Sequence, residues 1–223
     1  MISTDGFDAL TALARKPAVV TIDLHRGHLD PVVATLPLPA EASAALIARA
    51  VPLLARYREL GIPIFHVITS YRDRSEILSN AYWRFQASSP SSARKNIAEH
   101  NLEGMPGLEL MPGIGAPGDG ILSTKKRYDC FIGTDLEFVL RSGGHDSILF
   151  LGVNTNSCVI ATAIAASVRD FAVFIVDDGV DSMFGRRLHD AAESVIAASF
   201  GWIVSGQDTL RALTERHRQV LAG

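Results

Sequence analysis

The sequence predicts a three-layer α/β/α fold around a six-stranded, mostly parallel sheet, and three observations predict it. Short, continuous apolar runs alternate along the chain with stretches of helical periodicity. Those runs lack the polar alternation of a sheet with one wet face, so both faces need covering, as right-handed helical crossovers between parallel strands do. Neither an internal repeat nor a break in composition divides the 223 residues, which are read as a single domain, 1–223.

Ala18 to Ile22 is the first strand, β-branched and apolar, ending on the charged Asp23 and followed by a loop with His25, Gly27, His28 and Pro31. Between Ala42 and Leu60, apolar Leu46, Ile47, Ala50, Leu53, Leu54 and Tyr57 fall on one helical face, and Gly61 stands just past the end. Ile62 to Ile68 is the second strand, with Pro63 tolerated near its start. Residues 69–120 are irregular and punctuated by Pro90, Pro106, Pro112 and several glycines. An insertion of that length is often functional, and two uses stand open, a lid or a subunit contact.

Ile121 to Thr124 is a short third strand. Thr134 to Ser142 is a helix, with Thr134 as cap, Glu137 completing a capping box and Gly143-Gly144 as the stop. Then come a strand from Ser147 to Gly152, an alanine-rich helix from Ser157 to Arg169, a strand from Ala172 to Val176 and a helix from Leu188 to Ser199. A strand from Trp202 to Val204 and a helix from Thr209 to Gln219 complete the alternation.

Composition narrows the function. Hydrophobic residues at 48% and charged residues at 20% exclude a disordered chain. A formal charge of −3 from 21 basic and 24 acidic residues gives no electrostatic reason for a nucleic-acid or anionic-membrane partner, which favours small molecules. No apolar run approaches the ~18–20 residues of a membrane span. Met1 to Gly6 opens polar, unlike a signal peptide, so a cytoplasmic location is expected. The two cysteines, Cys130 and Cys158, are too few for a disulfide framework or a multi-cysteine zinc site, and each is read as a thiol.

Ligands of such sheets bind at the carboxyl ends of strands, which directs attention to Asp23, Lys125 and Asn154 to Cys158. Cys158 falls near the first turn of a helix, where free amides and the helix dipole favour a thiolate and can hold an oxyanion. Taken alone, Cys158 reads equally as a small buried hydrophobe, Asp23 as a turn residue and Lys125 as a solvated charge. Together on one sheet edge they read as nucleophile, proton acceptor and electrostatic aid.

Three segments carry a resemblance to the isochorismatase-like cysteine hydrolases, whose members include nicotinamidases, N-carbamoylsarcosine amidohydrolase and ureidoacrylate and biuret hydrolases. Ala18-Val19-Val20-Thr21-Ile22-Asp23-Leu24 resembles the first-strand motif. The stretch from Lys125 to Leu136 resembles the lysine motif, and Gly152-Val153-Asn154-Thr155-Asn156-Ser157-Cys158-Val159 the nucleophile turn. The resemblance covers roughly residues 17–205. It implies a Rossmann-like sheet, a Cys158-Asp23-Lys125 triad acting through a thioester, a cis Val153-Asn154 peptide and an oxyanion hole of Asn154 and Cys158 backbone amides. Lys125 rather than Lys126 is the residue six before the motif phenylalanine, Phe131.

The departures matter too. His25 stands where many members have glutamine, and it either contacts substrate, orients Asp23 or is an ordinary loop histidine. Tyr128-Asp129-Cys130-Phe131 replaces the common Tyr-Ser-Ala-Phe, and Cys130 reads as a packing residue. Ser70 to Glu76 lacks the histidines that nicotinamidase-like members use for metal, so neither metal nor other cofactor is expected. Members that cleave a vinyl ether generally lack the cysteine, so Cys158 points to hydrolysis of a C–N bond in an amide, ureido or carbamoyl compound. Vinyl ether hydrolysis, a silent binding or scaffold protein on the same fold and a thiol redox sensor remain as rivals. In the insertion, Trp83 and Arg84, with Tyr128 from the lysine motif, are the candidate substrate contacts, Arg84 as carboxylate partner. Arg94-Lys95 reads as a solvated charge pair, and the alanine-rich stretch 161–166 suits a homo-oligomer, a dimer or a tetramer.

Overall fold

The computed structural model describes residues 5–94 and 96–222, so the expectations placed on Met1 to Thr4 and on Lys95 lie outside the described residues. In chain order the elements are α1 (Gly6–Leu13), β1 (Pro17–Ile22), α2 (Arg26–Leu29), α3 (Ala40–Glu59), β2 (Ile64–Thr69), α4 (Arg74–Leu78) and α5 (Ala81–Ser88). There follow β3 (Gly120–Lys125), α6 (Leu136–Ser142), β4 (Ser147–Val153), α7 (Ile160–Ser167), β5 (Ala172–Asp181), α8 (Arg186–Ser199), β6 (Trp202–Val204) and α9 (Gly206–Ala222). All the strands pair in parallel, in the order β3-β2-β1-β4-β5-β6. The order reverses between β1 and β4, which places a crevice where their carboxyl ends part.

Strand alternation supplies both faces of the core. Val20, Ile22, Ile148 and Phe150 point towards Leu136 and Leu140 of α6 and Ala163 and Ala166 of α7. Val19, Leu149, Leu151 and Phe174 point the other way, against Leu46, Leu53 and Leu54 of α3 and Leu213 of α9. Every residue of β1 and β4 is buried, which explains their unbroken apolar sequence. The edge strand β3 is partly exposed and correspondingly mixed in composition.

Several boundaries depart from the sequence reading. The six strands are wholly rather than mostly parallel, and β5 runs on to Asp181, five residues past the expected end at Val176. Asp135, not Thr134, is the N-cap residue of α6. The expected capping box does not form: Thr134 Oγ1 accepts from Leu136 N at 3.1 Å and donates to Cys130 O, while Glu137 turns to Arg169 at 2.9 Å. Residues 69–120 are not structureless, since α4 is capped by Asp73, which accepts from Ser75 N and Glu76 N, and α5 by Asn80, which accepts from Trp83 N. The segment returns twice to the sheet edge, through isolated bridges between His25 and Leu110 and between Tyr71 and Leu102.

Candidate active site

Asp23 is the first residue after β1 and adopts a left-handed backbone, φ 56°, which aspartate tolerates better than most residues. Its carboxylate is fully buried and its two oxygens have different duties. Oδ1 accepts from Thr69 N and Thr69 Oγ1, both at 2.8 Å. Oδ2 accepts from the Lys125 ammonium at 2.8 Å. Lys125, the last residue of β3, also donates to Thr69 Oγ1 and stands 3.3 Å from Cys158 Sγ. The structure thus brings Asp23, Lys125 and Cys158 into one contiguous buried group.

Cys158 lies in a single π-helical turn, Thr155–Val159, that joins β4 to α7. The Val153-Asn154 peptide before it is cis. Asn154 anchors the turn, its Oδ1 accepting from Met183 N at 2.8 Å and its carbonyl from Ser157 N and Val159 N. Close approach of β1 and β4 requires glycine at 152: its φ is 127°, and an added Cβ would lie 2.0 Å from Ile22 O.

The charges explain one another. Burial alone would raise the Asp23 carboxyl, but the facing Lys125 ammonium brings it well below the ordinary value. Burial alone would lower Lys125, and the facing Asp23 charge holds it well above. Burial pushes the Cys158 thiol up to about 12, with Asp23 adding to the rise and Lys125 opposing it. At rest the group is therefore carboxylate, ammonium and thiol. This reverses the expected thiolate: removal from water and the adjacent carboxylate outweigh the helix start and the lysine.

Above the thiol is a small cavity whose lining includes Cys158, Lys125, Trp83 and Tyr128. Trp83 Nε1 donates to Tyr128 Oη at 3.2 Å, and the two rings meet edge to face with centroids 5.5 Å apart. Arg84 does not line the cavity; its guanidinium caps the end of α4 at Leu78 O, 2.7 Å away. Arg94 and Arg127 take that place in the lining, Arg94 over the Phe184 ring and Arg127 over Trp83. Among the described residues neither forms an ion pair with a carboxylate, and Arg94 is half-buried in the lining. His25 also stays out of the lining, wholly buried, with Nδ1 2.7 Å from Gly107 O and Nε2 3.4 Å from Asp23 Oδ1.

Lys126 turns away to Ser70 O at 2.7 Å and Glu76 at 3.4 Å. Cys130 sits in the core beneath the site, its amide bonded to Thr162 Oγ1 at 3.1 Å. Asp129 supplies its own local bond, accepting from Phe131 N at 2.8 Å. Sequence reasoning missed Thr69, His28 and His100. Thr69 ends β2, the neighbour of β1, so its place on the same edge was a usable signal. His28 shares a loop with Asp23, whereas nothing local marks His100.

Two described groups present metal-type ligands within reach of one another, Asp23 with His25 and His28, and Asp177 with His189 and Glu193. The first does not fit a cation, because Lys125 already neutralises Asp23 at 2.8 Å and would repel it. In the second, His189 Nε2 is 3.4 Å from Glu193 and Nδ1 is 2.9 Å from Thr155 Oγ1, behind the nucleophile turn. Burial, then Asp177, pushes Glu193 up to about 8.

The wholly parallel sheet thus sets a thiol, a carboxylate and an ammonium together at its carboxyl edge, beside a cavity. The chain belongs to the isochorismatase family: the isochorismatase domain matches residues 17–208. It is similar to maleamate amidohydrolase of Pseudomonas putida, 25% identical over 89% of this chain and 87% of that protein. It is also similar to the ureidoacrylate amidohydrolase RutB of Pantoea ananatis, 26% identical over 89% of this chain and 82% of that protein. In fold it is similar to a cysteine hydrolase from Pseudomonas syringae pv. phaseolicola 1448A, with TM-score 0.78, 21% identity and coverage of 92% of this chain and 98% of that one. No described helix is long and apolar enough to cross a membrane.

Proposed function

We propose that the protein is a cysteine-dependent amidohydrolase that cleaves a C–N bond in a small amide, ureido or carbamoyl compound bearing a carboxylate. The observation that carries this reading is the contiguous Asp23–Lys125–Cys158 group, 2.8 and 3.3 Å between partners, on the floor of a cavity. Cys158 Sγ attacks the substrate carbonyl as its proton passes to Asp23 Oδ2. The backbone amides of Asn154 and Cys158 hold the oxyanion, and the Lys125 ammonium steadies the negative charge. Collapse breaks the C–N bond as the departing nitrogen takes the proton from Asp23. Water, with Asp23 as base, then opens the thioester and frees the acid.

The carboxylate is assigned to Arg94 and Arg127, the two cavity cations without an acidic partner among the described residues. Maleamate, named in one relative, is itself an amide with a carboxylate. The test is ammonia release from maleamate, ureidoacrylate and N-carbamoylsarcosine by the wild type and by Cys158→Ala. Release by the wild type alone, with a mass-detected acyl adduct on Cys158, supports the proposal. Turnover by Cys158→Ala, or none by the wild type, defeats it.

A further inference from the structure

His28 differs from the other polar groups lining the cavity. It is buried, 8% exposed, and neither Nδ1 nor Nε2 has a hydrogen-bond partner among the described residues. Its ring is clamped edge to face between His25, 5.1 Å away, and His100, 4.7 Å away, so its orientation is fixed by packing. His100 is itself tied to Thr35 Oγ1 at 2.8 Å and to Asn101 Nδ2 at 3.0 Å. An imidazole held this firmly with both nitrogens unsatisfied is prepared for a group that arrives with the ligand.

The position of His28 says which group that is. Asp23 Oδ1 already accepts two bonds from Thr69, whereas Oδ2 accepts one, from Lys125, so the remaining lone pair of Oδ2 takes the proton from Cys158. His28 Nε2 stands 3.9 Å from that same oxygen. A leaving nitrogen placed to collect a proton from Oδ2 comes within hydrogen-bond reach of His28. Burial keeps the ring neutral by pushing His28 well below its ordinary value, which leaves one nitrogen free as an acceptor.

Resting on the amidohydrolase reading, we infer that His28 binds the leaving nitrogen, accepting an N–H of the substrate and holding it against Asp23 Oδ2 while it is protonated. The S–H proton goes to Oδ2 and from there to nitrogen as the C–N bond breaks; His28 gains and loses none. An activated ester whose alcohol departs as a phenolate needs neither the proton nor the acceptor. His28 therefore sets a preference for amides over such esters.

The experiment compares the wild type, His28→Phe and His28→Gln on two probes, the best amide from the ammonia-release panel and p-nitrophenyl acetate, with thermal melts confirming that each variant folds. Loss of a buried acceptor predicts a fall of about 10- to 100-fold in the amide-to-ester ratio of kcat/KM for His28→Phe. His28→Gln, which keeps an acceptor near the Nε2 position, recovers most of that ratio. Equal losses on both probes, or no change on the amide, overturn the inference while leaving the amidohydrolase reading intact. A wild type that releases ammonia from no amide defeats that reading and the inference together.

Discussion

Replacing the candidate base should make the nucleophile more reactive towards an alkylating agent while abolishing turnover. In the resting site Cys158 is held at about 12, so about one thiol in ten thousand is ionised at pH 8. The Asp23 carboxylate contributes to that rise and Lys125 opposes it. Asp23→Asn removes the first and keeps the second, and loss of an adjacent charge moves a pKa by roughly 1–3 units. Lower basicity also weakens the thiolate, with a Brønsted slope of about 0.4–0.5, so alkylation at fixed pH rises by about 3- to 50-fold. The assay is iodoacetamide labelling between pH 6 and 10, with peptide mapping to separate Cys158 from Cys130. The rate ratio between variant and wild type cancels the limited access to a buried sulfur. Labelling at the wild-type rate or slower would refute the electrostatic account, because it would mean that Asp23 does not hold the proton on sulfur.

Lys125→Met leaves a buried carboxylate without its counter-charge and should cost about 3–5 kcal/mol in urea unfolding, whereas the double variant with Asp23→Asn should recover part of that loss. The pH dependence has a definite sign. Asp23 is depressed in the folded state, so its contribution is present above the ordinary carboxylate value of 3.8 and is lost as pH falls towards the folded one. The stability gap between wild type and Asp23→Asn should accordingly narrow below pH 3.8 in urea titrations. Gly152→Ala combines an unfavourable φ with a Cβ 2.0 Å from Ile22 O and should lower stability by about 2–5 kcal/mol, read as a shifted urea midpoint. Arg94→Ala should raise KM for a carboxylate-bearing amide by about 10- to 100-fold, while Arg84→Ala, tied to Leu78 O outside the cavity, should leave KM unchanged.

What could be read from the sequence follows from how local each signal is. β1 and β4 lie at the sheet centre with both faces covered, so their residues are apolar throughout and their charged or cysteine-bearing sequels stand out. The convergence of Asp23, Lys125 and Cys158 followed from placing each at the end of a parallel strand. The insertion was opaque for the opposite reason: α4 and α5 are too short to show periodicity, and only the capping residues Asp73 and Asn80 announce them. Side-chain direction was equally hidden. Arg84 and Arg94 are both arginines on the same segment, yet Arg84 bonds to Leu78 O at the end of α4 whereas Arg94, beyond α5, reaches the cavity over the Phe184 ring. The charge state of Cys158 was misjudged because helix-start and lysine effects are local and visible, whereas burial is a property of the assembled fold.

That charge state also makes sense of the whole proposed cycle. Asp23, Lys125 and Cys158 are buried, and a buried charge without a partner is costly, so the sum over these reacting groups decides which of their states are accessible. At rest, carboxylate, ammonium and thiol sum to zero. In the tetrahedral intermediate the proton is on Asp23 and the negative charge on oxygen, beside Lys125, and the sum is again zero. In the acyl-enzyme the proton has left with the amine, Asp23 is ionised and the thioester is neutral, so the sum does not change. A resting thiolate beside ionised Asp23 would add one uncompensated negative charge to a buried site. The same arithmetic argues against a redox-sensor role, which depends on an exposed and ionised thiol, while Cys158 is buried and pushed up to about 12. Lys125 then has a role beyond binding: its positive charge lets negative charge move from Asp23 to oxygen and back without a change in the summed charge of the reacting groups.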